Sequence, residues 1–136
     1  MAALNDFLAA QDAHWTQITS ELRQGHKTSH WIWYVFPQLE CLGRSQTARH
    51  YGIANLAEAE AYLSHPILRA RLAEASLLLL HQPETDPVRI LGSIDALKLR
   101  SSMTLFFSGQ RRACRVLDRF YQGKRCQKTL SALGLS

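Results

Sequence analysis

The sequence has few cysteines, and no two of them form a closely spaced pair. Cys41, Cys114 and Cys126 are an odd number with no CxxC pair, which argues against a disulfide framework and against a zinc knuckle. Ordinary reduced thiols are expected. Long hydrophobic runs are also missing. The longest, Trp31–Phe36 and Leu77–Leu80, fall far short of the roughly 20 residues a membrane helix needs. The opening MAALNDFLAAQ has neither a basic segment nor a long apolar stretch, so no signal peptide is expected and the cytoplasm is the expected compartment. No HExxH, P-loop, GxGxxG or GxSxG occurs, so neither a metal nor a cofactor is expected. Internal repeats, low-complexity tracts, long linkers and strand-like alternation are absent too.

What is present describes one ordinary folded domain over 1–136. With 46% apolar and 20% charged residues, the chain can bury a core and is not of the disordered class. Charge is unevenly distributed. Residues 1–107 carry nine Lys/Arg against ten Asp/Glu, whereas residues 108–136 carry seven Lys/Arg against Asp118 alone. Such a basic third can attract nucleic acid or an acidic protein. A solvated helix face is the plainer explanation.

Helical signals dominate. Phe7, Leu8, Gln11, Trp15, Ile18 and Leu22 form one stripe of a first helix, predicted over about Asp6–Arg23 with Asn5 or Asp6 as cap and Gly25 after its end. Trp31–Phe36 is apolar on every side and must be buried on every side. It is expected to be a helix that Pro37 ends, although its composition also allows a strand. Ser45 caps a short helix, Asn55 with Glu58 opens another, Pro66 starts a longer one, and Asp86 caps DPVRIL. Ser93 is expected to cap IDALKLRSSMTLFF. Two apolar stripes run along that helix, Ile94/Leu97/Leu105 and Leu99/Met103/Phe106/Phe107, with Asp95, Lys98 and Ser102 on a polar strip between them. A last helical pair completes the chain. The fold class is therefore all-α, a compact array of six to eight helices around a buried central helix.

Buried polar groups locate candidate chemistry, because each must find a partner. Gln11 and Arg71 interrupt apolar stripes, and Asp95 with Lys98 can form an internal ion pair. Lys27, Thr28, Ser29 and His30 directly precede the aromatic run. Cationic and hydroxyl groups at a helix start suit phosphate or carboxylate, and Trp31, Trp33 and Tyr34 offer flat faces for a ring. The alternative is that Ser29 caps, His30 bonds a carbonyl and the aromatics are core.

Taken together, SHWIWYVFPQL, YGI, AYLSHPIL and LKLRSSMTLF resemble a bacterial and fungal family known as domain of unknown function 1810. The pattern covers nearly the whole chain: S-H-W-x-W-x-x-F-P-Q-L, Y-x-I, H-P-x-L and D-x-x-K-L-R-S-S-M-T-L-F. It maps onto Gln11, Lys27, Ser29, His30, Trp31, Trp33, Phe36, Pro37, Gln38, Tyr51, His65, Pro66, Asp95, Lys98, Arg100, Ser101, Ser102 and Thr104. Arg69 and Cys126 depart from it, at positions where the family often has Gly and an acidic residue. The resemblance implies a mainly helical domain and no established activity.

The expectation is a pocket in which folding joins KTSHWxW to DALKLRSS, with Gln11, Gln38 and Tyr51 nearby. Lys27, Lys98 and Arg100 would hold the anionic part of a small phosphorylated or nucleotide-like ligand. Trp31 or Trp33 would stack on its ring, Ser29 and Ser102 would line it, and His30 with Asp95 would move protons in any transfer or hydrolysis. The competing expectation is a non-catalytic interaction module built on the basic C-terminal third, as monomer or homodimer.

Overall fold

The first helix, α1 (Leu4–Gln24), begins where Asp6 reaches back to accept the Ala3 N–H at 2.9 Å. It ends at Gly25, whose φ of 72° provides the left-handed residue that closes the helix. Gln82 completes that end by donating from Nε2 to the carbonyls of Leu22 and Arg23 at 2.7 and 2.8 Å. The computed structural model describes residues 2–135.

The aromatic run is helical for a single turn, α2 (Ile32–Val35), before Phe36, just ahead of Pro37, leaves the helical region. A 3₁₀ turn at Glu40–Leu42 follows. Then come α3 (Gln46–His50), α4 (Leu56–Ser64), α5 (Pro66–Leu80), α6 (Pro87–Leu91), α7 (Ser93–Leu105), α8 (Arg111–Tyr121) and α9 (Gln127–Ala132). The described residues thus form nine α-helices, one for each helical segment read from the sequence, against a total expected at about six to eight. The fold is all-α. Among the described residues its one β-like feature is a parallel bridge between Leu39 and Ile53. There, Ile53 N–H donates to Gln38 O and Glu40 N–H to Ile53 O, both at 2.9 Å.

The expected caps are local and are found in place. Ser45 Oγ accepts from Ala48 N at 3.0 Å, Asn55 Oδ1 from Glu58 N at 2.9 Å, and Asp86 Oδ1 from Val88 N at 2.9 Å. Helix α1 departs from this, with Ala3 as its cap and the expected Asn5 and Asp6 already inside it, and so does helix α7. Gly92, at φ 89°, is its cap, and Ser93 is already inside the helix.

Helix α1 packs on α5, α5 on α8, and α7 lies against α6, α8, α9 and α2. Tyr62 is buried at the centre, edge-on to Phe7 at 5.2 Å and tilted against Phe106 at 5.4 Å. On α7 the stripe of Leu99, Met103 and Phe106 is interior, whereas Ile94 and Leu97 are 68% and 65% exposed. The other predicted stripe, Ile94/Leu97/Leu105, is therefore uncovered at its N-terminal end. Among the described residues no helix is long and apolar enough to cross a membrane.

Gly52 sits where the bridge brings two strands of backbone together. A Cβ there would fall well inside van der Waals contact of Glu40 Cα. Gly52→Ala is therefore expected to lower unfolding stability by about 1–3 kcal/mol through overpacking, measured by urea titration. A wild-type midpoint would contradict this close approach.

Candidate functional site

Glu21 lies three residues after Ile18 and directly before Leu22, on the inner face of α1, and is 5% exposed. A carboxylate there must be satisfied by donors. Four converge on it: Thr28 N at 2.8 Å, Ser29 N at 3.0 Å, Ser29 Oγ at 2.5 Å and the Trp31 indole Nε1 at 3.0 Å. Burial alone would raise its pKa. The Ser29 hydroxyl, the Trp31 indole and the two amides outweigh that and lower it to about 2.

The same loop carries Lys27. Its backbone N–H donates to Ile90 O at 2.8 Å, and its ammonium donates to Ser29 O at 2.5 Å. The ammonium also meets Asp95 Oδ2 at 2.7 Å, with side-chain exposures of 6% and 17%, and lies 5.0 Å from the centre of the Trp31 ring. Asp95 thus pairs with Lys27. Lys98, the partner anticipated from their helical spacing, instead stands 5.2 Å from the Trp33 ring. The two segments expected to converge do so, through direct contacts.

These contacts decide where each candidate residue lies. Trp31 is buried, with its N–H already used by Glu21. Gln11 is also core. It donates to Tyr34 O at 2.6 Å and to Tyr62 Oη at 3.2 Å, and accepts from Arg71 at 3.4 Å. Tyr51 packs in an aromatic cluster with Phe7, Tyr34 and His50. Ser102 Oγ is sealed inside with no hydrogen-bond partner. His30 is exposed and, with Ser29, borders a small cavity of about 190 Å³ against His14, Gln17 and Ile18 of α1. Asp95 is not on that cavity. The structure therefore does not assemble His30 and Asp95 as a proton-transfer pair on one cavity: Lys27 takes the carboxylate, while the imidazole faces α1.

The larger hollow is a groove of about 700 Å³ on the far side of α7. Gln38, Cys41 and Leu42 form one wall, and Arg44, Ser45 and Ala48 continue it onto α3. Ile94, Leu97, Lys98, Arg100 and Ser101 of α7 form the floor, and Cys126, Gln127 and Lys128 close it at α9. Of the residues expected to bind ligand, Gln38, Lys98 and Arg100 line it. Arg100 is partly committed, donating from Nε to Lys124 O at 2.9 Å and from Nη2 to Arg125 O at 2.8 Å. It thereby holds the α8–α9 loop against α7.

Glu21, Arg44, Ser45, Cys126 and Lys128 were missing from the expected site. The stripe that flagged Gln11 could have flagged Glu21, since Glu21 follows Ile18 by one helical turn. Nothing local marks Arg44 or Lys128, which reach the groove only through tertiary packing.

Because Glu21 is held below its ordinary pKa, its contribution to stability is full above about pH 4.5 and is lost as pH falls toward 2. Its size is on the order of 3 kcal/mol. Urea unfolding of wild type and Glu21→Gln should differ by about that amount at pH 7 and converge near pH 2. A gap independent of pH would contradict the assignment.

Comparison with known proteins places this fold. A crystal structure of the conserved hypothetical protein Rv1873 from Mycobacterium tuberculosis is 39% identical, with a TM-score of 0.94, over 98% of this chain and 97% of that one. No curated protein matches the sequence. Residues 1–133 match the family described as "Protein of unknown function (DUF1810)", and the chain belongs to that family.

Proposed function

We propose that the protein binds a small anionic molecule, phosphorylated or nucleotide-like, in the groove between α3, α7 and α9. One observation carries this reading. Arg44, Lys98, Arg100 and Lys128 all line the groove, and its described lining residues include no Asp or Glu. A concave surface of one charge sign between low-dielectric walls concentrates counter-charged solutes.

Two further features suit a ligand with a ring or apolar body. Ile94 and Leu97 are large, apolar and about two-thirds exposed, and with Leu42 they face the groove. Gln38, Ser45 and Ser101 provide hydrogen-bonding groups beside them. The volume lies within the roughly 300–1,000 Å³ of ordinary small-molecule sites. The ligand differs from the initial expectation in where it sits. Its anionic part meets Lys98, Arg44 and Lys128, and its body rests on Ile94 and Leu97 rather than on Trp31.

The test is thermal unfolding in the presence of pyrophosphate, ADP and sugar phosphates. A ligand at 100 times its Kd should stabilise the protein by about 2.7 kcal/mol. Lys98→Glu and Lys128→Glu should each weaken binding at least about ten-fold, because each reverses a charge on the groove wall. No stabilisation by any of these anions would overturn the reading. Tight nucleic-acid binding that weakens steeply with salt, and that Arg115→Glu abolishes, would favour the basic C-terminal third as a macromolecular interface instead.

A further inference from the structure

We infer that the ligand of the groove is an aliphatic phosphate, a phosphate head on a saturated chain, and that it lies along α7 with its head toward α9. The inference rests on the reading of the groove as an anion site and deepens it by naming the body of the ligand and its direction.

The floor of the groove changes character along its length. Ile94, Leu97, Lys98 and Ser101 fall at i, i+3, i+4 and i+7, on one face of α7. The rise from the first to the last is about 10 Å. At the near end Ile94 and Leu97 are about two-thirds exposed. At the far end Ser101 Oγ lies 3.3 Å from Cys126 Sγ, and Arg100 donates to the carbonyls of Lys124 and Arg125. Those contacts hold the start of α9, and with it Lys128, at the Ser101 end. Lys98 stands between the two ends. Apolar surface thus gives way to hydroxyl and cation within the length of one small molecule.

The apolar part is aliphatic. Leu42, Ala48, Ile94 and Leu97 supply its hydrocarbon, and the described lining residues include no Phe, Tyr, Trp or His. A nucleobase gains most from stacking on a flat face, and the groove offers none. Trp33 does not line it, and the Lys98 ammonium stands 5.2 Å from the centre of the Trp33 ring. A saturated chain needs no flat face, because its gain follows the area it removes from water.

Charge separates this occupant from others. A second copy seated groove to groove would set Arg44, Lys98 and Lys128 against the same three cations. A polynucleotide has the phosphates but no aliphatic segment to cover Ile94 and Leu97. An aliphatic phosphate complements both ends at once.

The experiment is isothermal titration of the full-length protein with butyl, hexyl and octyl phosphate, with ADP and pyrophosphate, and with octanol as the uncharged control. Each added methylene should tighten binding about two- to four-fold. Octyl phosphate should bind more tightly than ADP, and octanol at least about ten-fold more weakly than octyl phosphate. Leu97→Ser, with its unliganded thermal midpoint as the check on folding, should flatten the dependence on chain length. Lys128→Gln should weaken all three alkyl phosphates by one common factor. A flat series, tighter binding of ADP, or a chain-length dependence that survives Leu97→Ser and is lost in Lys128→Gln would overturn the proposal. So would co-sedimentation with phosphatidic acid vesicles without binding of octyl phosphate, which would assign the surface to a membrane headgroup. If pyrophosphate binds while the alkyl series is flat, only the aliphatic assignment fails. If neither pyrophosphate nor any alkyl phosphate binds, the groove reading fails with it.

Discussion

Lys27 places an ammonium group where only 6% of its side chain reaches solvent, and Asp95 meets it at 2.7 Å. Seven residues earlier than Thr28, Glu21 buries a carboxylate against the same loop. A charge left alone in either position would be destabilising by several kcal/mol, so the loop between α1 and α2 has little freedom. Glu21 fixes Thr28, Ser29 and Trp31 to the first helix, and Lys27 fixes the same stretch to α6 and α7. The chain then enters the core as Trp31–Phe36, and Pro37 turns it out again toward Gln38 and the groove wall. The two charge contacts thus fix the stretch upstream of that wall, and the Leu39–Ile53 bridge holds the wall itself.

This arrangement separates the polar groups into two sets with different tasks. Lys27 and Asp95 pair with each other, Gln11 is met by Tyr34 O, Tyr62 and Arg71, and Glu21 is met by Thr28, Ser29 and Trp31. Arg44, Lys98 and Lys128 line the groove between α3, α7 and α9. Helix α7 serves both sets. Its first turn provides Asp95 to the internal pair, and Lys98 and Ser101, on the groove side, stand beside exposed Ile94 and Leu97. Holding the floor of a binding surface on a helix whose opposite side is core keeps its side chains in fixed positions.

Sequence reading succeeded where the determining forces are local. Ser45, Asn55, Asp86 and Gly25 are recognisable because a cap depends on a few adjacent residues. Gln11 was recognisable as a buried polar group from its place in an apolar stripe, though its partners Tyr34 O and Tyr62 were not, since they lie 23 and 51 residues away. Periodicity placed Ile94 and Leu97 on one face of α7 but could not say whether another element covers that face. Asp95 and Lys98 have the spacing of an ion pair, yet Lys27 occupies the carboxylate because folding brings it closer. The groove was only partly legible for the same reason. Gln38, Lys98 and Arg100 belong to recognisable motifs, whereas Arg44 and Lys128 come from segments that the motifs do not include.

The central claim is that the Lys27–Asp95 contact is a true structural coupling and not a coincidence of position. A double-mutant cycle with Lys27→Met, Asp95→Asn and the combined variant, followed by urea unfolding at neutral pH, measures it most directly. The account predicts that each single change is strongly destabilising, that the double variant recovers part of the loss, and that the coupling is about 2 kcal/mol or more. Losses that simply add would show that the two residues act independently and would contradict the account.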